Sequence, residues 1–218
     1  MTHRVRQLFT PALVLFALIA ARPAFAGPPL LCHPFDIGSA RSLPWGGANW
    51  FDGKADYRLD HLVADTEALL TSSTPVIVRM ETLRRASLYA SRDPRVAADL
   101  LAHVTATAQM TKAEGRPNAG ALLDAAYVTE ALKQIAAIGG VTGYKDQAAG
   151  IRALVDGRDG QIFMRASLAA VPDDPSLEFA AALIAAGTDQ AAYARHAERA
   201  RAGANSDALL AKNLSHLS

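Results

Sequence analysis

Residues 144–175 read YKDQAAGIRALVDGRDGQIFMRASLAAVPDDP. The stretch divides into two short helices, 145–155 and 160–170, around the tight turn Asp156-Gly157-Arg158-Asp159-Gly160, and it closes on Val171-Pro172-Asp173-Asp174-Pro175. Glycine and proline punctuate local structure because one admits left-handed backbone and the other lacks a donor. A further helix pair follows, 176–186 and 189–202, with Asp189 placed to cap its second member, and a last short helix starts at Asp207 behind Ser206 as its cap.

Upstream the same hairpin pattern continues to Asp56. Asp56 is the expected cap of a helix reaching about Leu70, and Thr71-Ser72-Ser73-Thr74 breaks it. Pro75 then fits a first helical position with Thr74 as cap. Val76, Met80, Leu83, Ser87 and Ala90 repeat at spacings of four and three, one face of a helix. Asp93-Pro94 opens another helix, with Val96, Leu100, Leu101 and Val104 on a shared face. Gly115-Arg116-Pro117-Asn118 separates it from a long helix carrying Ala121, Ala125, Val128, Leu132 and Ile135, which Gly139-Gly140 and Gly143 end. No alternating β-branched run of strand length occurs. The expected fold class is all-α: antiparallel helical hairpins stacked side by side, with abundant alanine permitting close approach.

Residues 141–174 resemble a tetratricopeptide repeat, a 34-residue helix–turn–helix unit. Tyr144, Ala148 and Ile151 fill the large, small and large places of its first helix. Gly160, Met164, Ser167 and Pro172 match the small, large, small and proline places that follow. Residues 175–208 fit less well: Ala182 occupies the small slot, but Ala185 stands where a large residue belongs. The resemblance implies a short superhelical array whose concave face binds a peptide or protein, with no catalysis and no cofactor.

Residues 27–56 differ in kind. They are rich in glycine, proline and aromatics and hold both tryptophans, Trp45 and Trp50. Regular helix is not expected there, and the rings favour burial over disorder. The segment reads as an irregular arm stapled onto the helices by Trp45 and Trp50, both expected to be at least partly buried, with aromatic burial as its only large favourable contribution. Ahead of it, Arg4 and Arg6, the apolar run Leu8–Ala20 and Ala24-Phe25-Ala26 form the pattern of an export signal cleaved after Ala26. Cleavage leaves 192 residues and removes three arginines but no acid, so the formal charge moves from +1 to −2. A near-neutral chain offers no electrostatic footprint for nucleic acid or anionic membrane. No second apolar stretch is long enough to span a bilayer. A periplasmic or secreted destination is therefore expected, and one cysteine rules out an internal disulfide framework.

Within the arm, Leu31-Cys32-His33-Pro34-Phe35-Asp36-Ile37-Gly38 and the later Ser42-Leu43-Pro44-Trp45 resemble a segment of secreted bacterial proteins of unknown function; this implies no activity. Cys32, His33 and Asp36 bring a thiol, an imidazole and a carboxylate into five residues. Their spacing suits neither a structural zinc site, which needs four ligands, nor c-type haem attachment, which needs two cysteines. Together with Trp45 and Trp50 they are the candidate ligand or partner contacts. No catalytic residue, metal ligand or cofactor site is assigned. Acylation of Cys32 is disfavoured by Leu31 before it. The basic cluster Arg79, Arg84, Arg85, Arg92 and Arg95, interleaved with Glu81, Asp93 and Asp99, reads as a salt-bridged helix surface. His61, His103, His196 and His216 show no His-x-x-x-His pairing, and Gly139–Gly143 lacks the lysine of a phosphate loop.

Two functions remain open at this point. One is an exported, non-enzymatic helical-repeat protein that binds a protein or peptide. The other is a small enzyme or ligand-binding protein with its site between the 27–56 arm and the helices.

Overall fold

The computed structural model describes residues 27–217 apart from Ala48 and Thr142. The cleavage pattern before Gly27 lies outside the described residues. Nine α-helices are described: α1 (Leu62–Leu69), α2 (Val76–Ala90), α3 (Pro94–Ala113), α4 (Ala119–Ala137), α5 (Ala148–Val155), α6 (Gly160–Ala170), α7 (Pro175–Ala185), α8 (Gln190–Gly203) and α9 (Ala208–Asn213). Single 3-10 turns precede α1 and α5 and flank α9. No strand occurs among the described residues, and the chain is all-α. No described helix is long and apolar enough to cross a membrane.

Three helices form the centre. Every residue of α4 from Ala121 to Leu132 is buried, as is every residue of α7 from Ser176 to Ala185. In α2 all residues from Ile77 to Ala90 are buried except Arg85. Helices with apolar residues on all sides must be enclosed, because no face is left that gains from water. α4 is wrapped by α3, α5, α6 and α2, while α7 packs on α8, α6, α2 and α4. Alanines 180, 181, 182 and 185 keep α7 thin enough for α8 to lie tightly against it.

Within Tyr144–Pro175, α5 and α6 both pack on α4 rather than mainly on each other. Ala148, Ile151, Gly160, Met164 and Ser167 are all buried. The small residues serve the contact with α4: a Cβ on Gly160 would lie 2.7 Å from the Ala126 carbonyl oxygen and 2.8 Å from Glu130 Cγ. The Gly160 amide donates to Glu130 Oε1 at 2.8 Å.

Several helix starts differ from expectation. Asp56 caps nothing; a 3-10 turn, Leu59–His61, leads into α1. Pro75 is itself the N-cap of α2, and the Thr74 hydroxyl instead donates to the Leu69 carbonyl, closing the preceding loop. Asp207, not Ser206, caps α9: its carboxylate accepts from the amides of Leu209 and Leu210, while the Ser206 hydroxyl donates to the Gly203 carbonyl.

Residues 27–56 contain no regular helix among those described, and they cover α2. Leu30, Leu31, Phe35 and Leu43 are buried and belong to the same core as the helices. Trp45 and Trp50 are half-buried against that core. At the far end, the turn Leu214–Leu217 folds over α7. It stacks His216 on Phe35, ring centroids 4.7 Å apart.

Candidate functional site

The charged residues of α2 decide the chemistry of the molecule. The expectation of a salt-bridged surface fails for its first three members, because Arg79, Glu81 and Arg84 are buried. Two separate networks result.

The first lies under the arm. Glu81 accepts from Arg84 Nε at 2.7 Å, Arg84 Nη2 at 2.9 Å, Arg85 Nε at 2.6 Å and the Phe35 amide at 3.0 Å. Arg84 Nη1 donates to the carbonyls of Leu31 and Trp50, and Arg85 Nη1 to that of Leu43. Tyr89 donates to the Pro44 carbonyl and accepts from the Lys54 amide, and Tyr127 donates to the Leu30 carbonyl. An irregular segment has no ladder of its own, so its buried polar groups need partners elsewhere. Side chains of α2 and α4 supply them. Aromatic burial is thus not the arm's only large favourable contribution, contrary to expectation. Burial alone would raise the Glu81 pKa, but hydrogen bonds and positive charge from Arg84 and Arg85 outweigh it and hold the carboxyl below its ordinary value.

The five sequence-derived candidates surround this network without converging. Cys32 is half-buried beside Gly27; burial raises its thiol pKa and the nearby Arg84 offsets this in part. His33 is exposed and meets His216 edge-on at 6.0 Å. Burial, then the neighbouring His33, pushes His216 down to about 4, so it is a neutral ring at physiological pH. The Asp36 backbone exchanges two hydrogen bonds with the Asn213 side chain. Trp45 lies under the Arg84 guanidinium at 4.9 Å and packs edge-on to Tyr89, while Trp50 contributes its carbonyl to Arg84. These contacts fasten the arm. No three His, Cys, Asp or Glu side chains cluster as a metal site among the described residues.

The second network opens to solvent. Arg79 Nη1 donates to Asp124 Oδ2 at 2.6 Å and Nη2 to the Thr71 carbonyl at 2.6 Å. Asp124 Oδ1 is buried without a partner. Burial pushes the Asp124 carboxyl up to about 6, and Arg79 counters it only partly. Arg79 also lines a cleft of about 310 Å³ where the starts of α2, α4, α7 and α9 meet. Ser72, Thr74 and Pro75 form one wall, Asn118 and Gly120 the second, and Asp174, Ser176 and Asp207 the third. Asn118 caps α4 through the Ala121 amide, and Asp174 caps α7 through the amides of Ser176 and Leu177. α2 has no side-chain cap.

A wider hollow of about 450 Å³ lies beside Asp173, Glu178 and Arg199. Its buried carboxylate, Glu178, is already taken by His196 and Arg199. A smaller one of about 250 Å³, between Phe51, Asp52 and Tyr144, has its arginine, Arg92, set over the Tyr89 ring.

Sequence reasoning missed the Arg79 cleft. One signal was available: Ile77, Val78, Met80, Leu83, Ala86 and Leu88 occupy every side of α2, which leaves its charges no outward face. No family model matches the chain, and neither a curated protein nor a solved structure matches it.

Proposed function

We propose that the chain is an exported protein that holds a peptide or protein partner without transforming it, and that the Arg79 cleft is where the partner is anchored. The observation that carries this is an open cleft of about 310 Å³ with a 4%-exposed guanidinium on its wall. That volume falls at the lower end of the roughly 300–1,000 Å³ typical of ligand pockets. Its polar groups sit on rigid helix starts, which favours orienting a bound chain. Export rests on Ala24-Phe25-Ala26 after a short apolar run, and an intact mass beginning at Gly27 tests it. The tetratricopeptide likeness of 141–174 implies the same class of role from sequence spacing alone, because α5 and α6 pack on α4 rather than mainly on each other.

Backbone amide shift mapping with a pool of randomised octapeptides tests the reading. The expected perturbations fall at residues 72–79, 118–120 and 171–177. Perturbations confined to residues 27–56 would favour the alternative of a site between arm and helices. Covalent change in the peptides would contradict a purely binding role.

A further inference from the structure

We infer that the Arg79 cleft selects a single carboxylate, that of a peptide C-terminus; the inference rests on the binding role proposed above. Asp174 is engaged with two amides of α7. Asp207 accepts from the amides of Leu209 and Leu210 through Oδ1 and from Ser176 Oγ at 2.7 Å through Oδ2. Each of these carboxylates neutralises the positive end of its own helix. The start of α4 carries only the neutral Asn118, and the start of α2 carries no side-chain cap at all. The cleft therefore keeps two uncompensated helix starts, each equivalent to roughly half a positive charge.

Arg79 supplies the second, independent element. Its Nε finds no acceptor among the described residues, while Nη1 and Nη2 each make one bond. A Cβ on Gly120 would lie 3.0 Å from Arg79 Cζ and 3.2 Å from Nε, so glycine lets the start of α4 lie directly against the guanidinium. Its counter-ion, Asp124, binds it through one oxygen only. The guanidinium thus has both donors and attraction to spare, and a planar carboxylate is its geometric match.

Two features narrow the ligand. Asp174 and Asp207 line the same cleft and repel a doubly charged phosphate more than a singly charged carboxylate. The cleft is also larger than a bare acetate needs, and the hydroxyls of Ser72, Thr74 and Ser176 line it where a terminal peptide unit would lie.

Titration calorimetry of the exported protein tests this with four probes: a randomised tetrapeptide pool as free acids, the same pool as C-terminal amides, acetate, and inorganic phosphate. The free acids are expected to bind at least about tenfold tighter than the amides, the scale of one or two hydrogen bonds to a charged group. Acetate and phosphate are expected to bind more weakly than the acid pool. Equal binding of acids and amides would overturn the carboxylate inference while leaving the peptide-binding reading standing. Binding by neither would overturn both. Acetate or phosphate binding as tightly as the acid pool would assign the cleft to a free anion and overturn the peptide part. Arg79→Gln tests the anchor but leaves Asp124 unpaired. Pro75→Asp is the complementary variant: it caps α2 with the protein's own carboxylate at a backbone geometry, φ −58° and ψ 147°, that an N-cap accepts. It is expected to melt cooperatively and to bind acids no better than amides; a folded Pro75→Asp protein with undiminished acid preference would overturn the inference.

Discussion

Glu81 and Arg79 stand two residues apart on α2, and both are buried, yet their surroundings differ in kind. Glu81 accepts four hydrogen bonds, and its partners Arg84 and Arg85 spend their remaining donors on backbone carbonyls of the arm. Both oxygens of the Glu81 carboxylate are engaged twice. Arg79 meets one carboxylate oxygen and one carbonyl, its counter-ion keeps an orphaned oxygen, and a cleft opens beside it. A buried ion pair gains little net stability unless its remaining groups are satisfied. The closed network therefore reads as architecture and the open one as a site that a ligand completes.

Breaking the closed network is expected to have the largest effect. Glu81→Ala leaves Arg84 as an uncompensated buried charge, a loss of about 3–5 kcal/mol. Urea unfolding checks it, and an unchanged midpoint would show that the arm does not depend on this carboxylate.

The two carboxylates should also respond to pH in opposite directions. Asp124 has a folded pKa of about 6, above the ordinary Asp value of roughly 4. The folded state then holds more protons than the unfolded state between those values, so stability falls as pH rises from about 4 to about 6, by up to roughly 3 kcal/mol. Glu81 is held below its ordinary value, so its contribution is present above about pH 4.3 and is lost as pH falls through the folded pKa. Unfolding midpoints across pH 3–7 check both slopes. Asp124→Asn should flatten the upper one and leave the lower one intact.

Smaller effects sharpen the contrast. Tyr127→Phe strips the buried Leu30 carbonyl of its 2.6 Å bond and should cost about 1–3 kcal/mol. Cys32 serves as a reporter with no stability effect of its own. Burial raises its pKa, with Arg84 a partial offset, so a thiol reagent should label it slowly in the native protein and faster in Glu81→Ala, where the arm loosens. Fast native labelling would contradict a fastened arm.

The all-α class, most helix limits and the inward slots of 148–167 were legible because they depend on local periodicity and turn residues. The irregular arm was legible from its glycine, proline and tryptophan content. Its fastening was not, because Glu81 and Arg84 find their arm partners at Leu31, Phe35 and Trp50, 34 to 53 residues away. The cleft was hidden for the same reason: Thr74, Asn118, Asp174 and Asp207 meet only after the core has formed. Local spacing placed Arg79 among surface charges, whereas tertiary enclosure of α2 decided its burial.

Side-chain NMR of the arginine Nε–H groups tests the contrast most directly. During titration with the free-acid tetrapeptide pool, the Arg79 Nε–H resonance should shift and saturate, because that donor gains an acceptor. The Arg84 Nε–H, already bonded to Glu81 at 2.7 Å, should stay in place. A stationary Arg79 signal, or movement of Arg84 in its stead, would contradict the assignment of the open network as the binding site.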